Sequence, residues 1–173
     1  MYSKNGPPPS FIYRMPRQIP QETWHDLLRS LIFHEEWFGL VWRDGHDPSV
    51  RARELGSRLT PLKIDRRRSD RWPGTRLSDS LATVIRYRAS AEALPILTTT
   101  ASPFEWVYPD LPEDLFFGSD ESGLAFISVA HERDAWLLKR RHARAIGQQL
   151  TLEKEELLPW EVGIFLGNEG GSQ

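Results

Sequence analysis

Five carboxylates fall within twelve residues of this chain: Asp110, Glu113, Asp114, Asp120 and Glu121. Trp106, Tyr108 and Phe117 stand among them, and His131, Glu132 and Asp134 follow shortly after. Such a set suits three kinds of chemistry. Acids beside exposed aromatics suit a cationic protein partner, because aromatic side chains concentrate binding energy. The acids then raise association rate and specificity. A histidine beside carboxylates suits acid–base or hydrolytic work. The third reading is purely structural. Asp110 and Glu113, three apart with Pro112 between them, have the spacing of a capping pair. One short turn would then deliver Phe116 and Phe117 to the core.

We assign Asp110 and Glu113 to capping. A partner-binding face is expected from Trp106, Tyr108, Asp114, Phe117, Asp120 and Glu121. The stretch lies on loops between apolar segments, where binding residues concentrate.

Other catalytic patterns are missing. The chain has no cysteine, which removes disulfide scaffolds, thiol catalysis and cysteine-based metal sites. "HEEWF" at His34 is not a zinc-binding HExxH, since Phe38 takes the fifth position. There is no G-x-S-x-G, no G-x-G-x-x-G and no G-x-x-x-x-G-K-[ST]. No cofactor and no metal is therefore expected. A metal site built from His131, Glu132 and Asp134 would need convergent ligands that spacing cannot demonstrate.

Charge is strongly segregated beneath a formal net of −2. Residues 51–88 hold ten Arg and one Lys against four acids, a balance of +7. Residues 89–136 carry −8, residues 137–145 carry +4, and residues 146–173 carry −4. Oppositely charged blocks either neutralise each other within the fold or form separate faces. The stretches "IDRRRSDRW" and "KRRHAR" could contact phosphates, with Trp72 or Tyr87 to stack a base. A sequence pI of about 6.2 argues against it, because dedicated nucleic-acid binders usually lie above about 9. Nucleic acid is not expected as a partner.

The elements that must position these residues read as follows. Trp24, Leu27, Leu28 and Leu31 recur at helical spacing, which predicts a helix over 21–33. Phe38, Leu40 and Trp42 alternate as in a strand. Asp47 as cap, Pro48 at the first position and Gly56 as stop predict a short helix over 48–55. "LTPLKID" reads as an edge strand, since Pro61 cannot donate to a ladder. Residues 66–79 read as a polar connection with a type II turn at Pro73-Gly74. Residues 82–88 read as a strand, and "AEALPIL" is left open by Pro95.

Gly123–Ala130 is apolar on both faces, as befits a central strand. "HERD" then turns the chain into a returning strand over 135–139. "TLEKEELL" reads as a helix, and 160–166 as a final strand.

Helices and strands mix without a βαβ rhythm, so the fold class is α+β. One domain is expected over 11–167, a mixed or antiparallel sheet with a few helices packed on one face. Residues 1–10, "MYSKNGPPPS", read as a flexible arm, and 168–173 as a flexible tail. No apolar run approaches the ~18 residues of a membrane span, and a cytoplasmic location is expected. Arginine outnumbers lysine eighteen to four, a bias that suggests a GC-rich bacterial source.

The expected function is that of a small, non-enzymatic protein that binds another protein. The specific form proposed on these residues is an immunity-type inhibitor of a toxin, whose basic cleft the −8 segment would cover. Two alternatives stand beside it. One is a small hydrolase using His131 and nearby acids. The other is nucleic-acid binding through 66–72 and 139–144.

Overall fold

The computed structural model describes residues 11–156. The expected arm at 1–10, strand at 160–166 and tail at 168–173 lie outside the described residues. The elements, in order, are β1 (Phe11–Arg14), α1 (Gln21–His34), β2 (Trp37–Arg43), α2 (Val50–Leu59), β3 (Lys63–Ser69), β4 (Arg71–Trp72), β5 (Thr75–Arg76), β6 (Ala82–Arg88), α3 (Leu94–Leu97), β7 (Glu113–Ser119), β8 (Gly123–Val129), β9 (Asp134–Leu137), α4 (Arg140–Ile146) and β10 (Glu153–Glu156). Eight strands form one antiparallel sheet in the order β10-β1-β9-β8-β7-β2-β6-β3, and β4 pairs with β5 as a separate hairpin. This is the expected α+β architecture. No helix among the described residues is long and apolar enough to cross a membrane.

The central strands are apolar on both faces because both faces are covered. On one side lie the helices. Trp24, Leu27, Leu28 and Leu31 of α1 are fully buried there, as their spacing predicted. A chain of ring contacts runs beneath them: Tyr87 on Phe38 at 5.3 Å, Phe38 to Phe117 at 5.5 Å, Phe117 to Phe126 at 6.4 Å, and Phe126 to Trp24 at 5.7 Å. On the other side Trp37, Val41, Phe116, Ile127 and Val129 pack against Trp72 of the β4–β5 hairpin. Gly39 makes room there, since a Cβ would lie 2.1 Å from the Phe116 ring. One extra residue in β8, Ala125, shifts the register against β7. Its bulge interrupts the alternation and places the adjacent Ala125 and Phe126 in the same, helix-side core.

Several expectations need correction. Residues 66–69 are not a connection but the second half of β3, because their backbone pairs with β6. Gly56 does not stop α2, which runs on to Leu59 behind a Ser49 cap that accepts from Ala52 N–H. The glycine is required by packing: a Cβ would lie 2.9 Å from the Trp42 indole. Pro95 sits in the first turn of α3, where its missing N–H costs nothing. Residues 153–156 form β10, not a helix, because β1 offers them a complete ladder. Asp110 and Glu113 cap no helix, since Glu113 opens β7.

The helix-side core generates a stability prediction. Leu28→Ala should destabilise the protein by about 2–5 kcal/mol in a denaturant titration. A loss below about 0.5 kcal/mol, the range of exposed positions, would contradict the packing described.

Candidate functional site

The loops at one rim of the sheet enclose a cleft of about 950 Å³. Its walls come from the end of β2, the 44–46 loop, the β4–β5 hairpin, the Tyr108–Pro109 loop and the turn after β8. The hairpin reaches this position because Gly74 allows both its turn and its approach to the sheet. Its φ is +82°, and a Cβ would lie 2.7 Å from Val129 Cγ2.

The floor is built on a bulge. Between the pairs Gly39–Phe116 and Val41–Glu113, β7 carries one residue more than β2. Asp114 lies in that bulge with φ +52°, a left-handed conformation uncommon outside glycine. The groups freed from the ladder find partners. Asp114 N–H donates to the Trp106 carbonyl at 3.1 Å, and buried Ser128 donates to the Leu115 carbonyl at 2.9 Å.

The Asp114 side chain is completely buried. Oδ1 accepts from Ala130 N–H at 2.8 Å; Oδ2 accepts from Trp72 Nε1 at 2.8 Å and Thr75 Oγ1 at 3.3 Å. Burial pushes its carboxyl up to about 6, against the pull of the Trp72 and Ala130 hydrogen bonds and with a further push from Glu113. All three donors are neutral, so none cancels the charge.

Glu113 stands next to it. Regular alternation would send the two side chains to opposite faces. The bulge instead brings Glu113, Asp114 and His131 together, with ligand-capable atoms within 4.8 Å of one another. Arg43 donates to Glu113 Oε2 at 3.2 Å, which leaves Oε1 facing His131 Nδ1 at 3.6 Å. On the other side of the imidazole, Glu132 Oε1 lies 3.7 Å from Nε2. Arg76, His46 and Tyr108 line the cleft above.

The expected partner-binding face does not form as one surface. Trp106, Asp114 and Phe117 are fully buried, so these three assignments are corrected. Trp106 and Phe117 belong to the helix-side core, and Asp114 anchors the hairpin. Tyr108 is half-buried at the cleft and donates to the His46 carbonyl. Asp120 and Glu121 are exposed, but at the opposite end of β7. Asp120 accepts there from Arg86 at 3.2 Å and Trp37 Nε1 at 3.0 Å. Asp134 does not join His131, because it pairs with Arg14 of β1 at 2.6 Å. The Arg block and the acidic segment do meet elsewhere, where Arg51 bridges Glu105 and Asp110. The two basic stretches lie far apart on the sheet. Arg66–Arg68 lie on edge strand β3, while α4 packs on α1 and β9, five strand spacings or about 24 Å across the sheet.

A second polar cluster, unforeseen from sequence, joins segments more than a hundred residues apart. His142 Nδ1 lies 2.9 Å from Ser30 Oγ, and Nε2 lies 2.8 Å from Glu35 Oε1. Lys139 and Ser119 donate to Glu35 Oε2. By distance this is a Ser–His–Glu triad. Its surroundings differ from a triad's, because Ser30 lies inside α1, where neighbouring N–H groups are committed to the helix and cannot form an oxyanion hole. Burial raises the Glu35 carboxyl, and the bonds from His142, Lys139 and Ser119 outweigh it, holding it below its ordinary range. The cluster locks α4 onto α1 and the sheet.

Comparison with known protein families, with characterised proteins and with solved structures finds no match to this chain. The residues of the cleft therefore carry the functional argument.

Asp114 makes the site pH-sensitive in a definite direction. A carboxyl raised in the fold holds its proton where the unfolded chain has released it. Its contribution to stability is complete below the unfolded value of about 3.9 and is lost as pH rises through about 6. With EDTA present, the stability of the protein relative to Asp114→Asn should fall by up to about 3 kcal/mol between about pH 4 and about pH 8. A difference independent of pH would contradict this assignment.

Proposed function

We propose that the protein is a small hydrolase-class enzyme that takes a polar, anionic substrate in the cleft, with Glu113, Asp114 and His131 activating the attacking water. The carrying observation is that Glu113 and His131 line an open cleft while Asp114 is buried beside them, the ligand-capable atoms of all three lying within 4.8 Å of one another. Left-handed backbone at a non-glycine position accompanies the convergence, and such conformations concentrate at functional sites. The arginines of the wall favour an anionic group on that substrate. Arg76 is largely exposed, with the Asp70 carboxylate 4.0 Å away, and Arg43, which also donates to Glu113, lines the same space.

The reaction is addition of water oxygen to a carbonyl carbon or phosphorus, followed by departure of the leaving oxygen. One water proton passes to that leaving group, so the products are an acid and an alcohol. Glu113, Asp114 and His131 position the water and lower the cost of deprotonating it.

A second reading keeps the expected binding role. Asp120 and Glu121 are exposed at the far end of β7, with Glu36 beside them accepting from Asp120 N–H. These acids suit a cationic protein, and inhibition of a toxin is the specific form of that reading. It is second because the aromatic anchors it needs, Trp106 and Phe117, have no exposed surface.

A panel of chromogenic carboxylate esters, phosphate monoesters and phosphodiesters tests the first reading. One arm should be turned over, with kcat/KM falling at least ~100-fold in His131→Ala. Arg76→Ala should raise KM while leaving kcat nearly unchanged. Absence of turnover in every arm, or rates indifferent to His131→Ala and Glu113→Gln, would overturn it. The second reading expects slower association with a basic protein after charge reversal at Asp120 and Glu121.

A further inference from the structure

We propose that Glu113, Asp114 and His131 form a binding site for one divalent transition-metal cation at the floor of the cleft. The inference rests on reading that cleft as the functional site and adds the means by which water would be activated there.

The ligand types and spacing fit such an ion. Oxygen and nitrogen ligands of a zinc-sized cation lie about 2.1 Å from it, which separates two tetrahedral ligand atoms by about 3.4 Å. Glu113 Oε1 and His131 Nδ1 are 3.6 Å apart. The three ligand atoms all lie within 4.8 Å. Rotation of the His131 side chain, which is half-exposed on its turn, closes the wider gaps.

The surrounding hydrogen bonds hold each ligand in the required orientation without consuming it. Arg43 reaches only Oε2 of Glu113 and leaves Oε1 to the site. Ala130 N–H on Oδ1, and the Trp72 indole with Thr75 on Oδ2, fix the Asp114 carboxylate and leave a lone pair on Oδ1. Glu132 lies on the far nitrogen of His131, the place where ligating imidazoles commonly have a carboxylate. The backbone agrees. The left-handed bulge at Asp114 is what turns two sequence-adjacent carboxylates toward one histidine. A purely structural role for Asp114 accounts for its bonds to Trp72 and Ala130. It does not account for Glu113 and His131 beside it.

An imidazole with two carboxylates favours Zn²⁺, Mn²⁺, Fe²⁺ or Co²⁺ over Mg²⁺ and Ca²⁺. Three protein ligands leave a position open toward the cleft, the arrangement of a catalytic rather than a closed structural site. A water held there is acidified by the cation. In this form His131 is a ligand and not the base.

The test uses EDTA-treated full-length protein and Co²⁺ alone, followed by calorimetry and visible absorption. One Co²⁺ per chain should bind, be displaced by Zn²⁺ and resist Mg²⁺ or Ca²⁺ at equal concentration. His131→Ala and Glu113→Gln, which leave both hydrophobic clusters unchanged, should each weaken binding at least ~100-fold. Glu132→Gln should weaken it by roughly 10–100-fold. Absence of stoichiometric binding, or binding unchanged in His131→Ala and Glu113→Gln, overturns the proposal. The two readings separate cleanly: stoichiometric Co²⁺ without ester turnover keeps the cation site and sinks the hydrolase. Turnover that survives EDTA with no metal bound keeps the hydrolase and sinks the cation site.

Discussion

A buried carboxylate whose hydrogen-bond donors are all neutral is the constraint around which this end of the molecule is organised. Asp114 accepts hydrogen bonds from the β4–β5 hairpin and from the turn after β8, while its own backbone sits in β7. Leaving such a group unbonded inside a protein is costly, and each bond to a charged acceptor contributes about 1.5–3 kcal/mol. The three segments are therefore not free to separate. Where they are held together they enclose the cleft, and where Asp114 bends β7 they bring Glu113 to His131. The hairpin has only two strands of two residues each. Such a piece has little stability of its own, and its place on the sheet depends on Trp72, Gly74 and this carboxylate.

A buried acid lies near each end of β7, Asp114 on the strand itself and Glu35, the residue after α1, beside Ser119, and the contrast between them is informative. Near its last residue, Ser119 donates to Glu35, which also receives Lys139 and His142. Cationic and polar donors saturate that carboxylate and hold it ionised. At the second residue of the strand Asp114 has neutral donors alone, and burial raises it. Groups with perturbed ionisation in a cleft are functional candidates, whereas a saturated buried ion pair is more often an organising device. The same distinction separates the triad-like Ser30–His142–Glu35 arrangement, enclosed between helices, from the set at Glu113, Asp114 and His131, which reaches the cleft through Glu113 and His131.

Periodicity made much of the fold legible. The α1 stripe, the alternation of β2 and the doubly apolar β8 each state a burial pattern directly, and all three elements formed. Pro73-Gly74 marked a turn, though nothing local said that it would dock on the far face of the sheet. Misreadings arose where pairing or packing overrode local preference. Residues 153–156 have helix-forming composition, but β1 presents an unpaired edge to them. Gly56 has the look of a stop and is explained by the Trp42 ring. The site was half legible. His131 and its acids were visible as a cluster of types, but Asp134 belongs to β1 through Arg14. The aromatics beside the acids were read as exposed, whereas alternation along β7 puts Phe117 under the helices. The Asp114 bulge had no local signature, because it is defined by the count of residues on two strands.

The central claim is that Asp114 fastens the hairpin to the sheet and so builds the cleft. A double-mutant cycle between Trp72→Phe and Asp114→Asn, measured by denaturant unfolding at neutral pH, tests it most directly. The account predicts a coupling energy of about 1.5–3 kcal/mol, the value of a hydrogen bond to a charged group. Additivity of the two substitutions to within about 0.5 kcal/mol would contradict it.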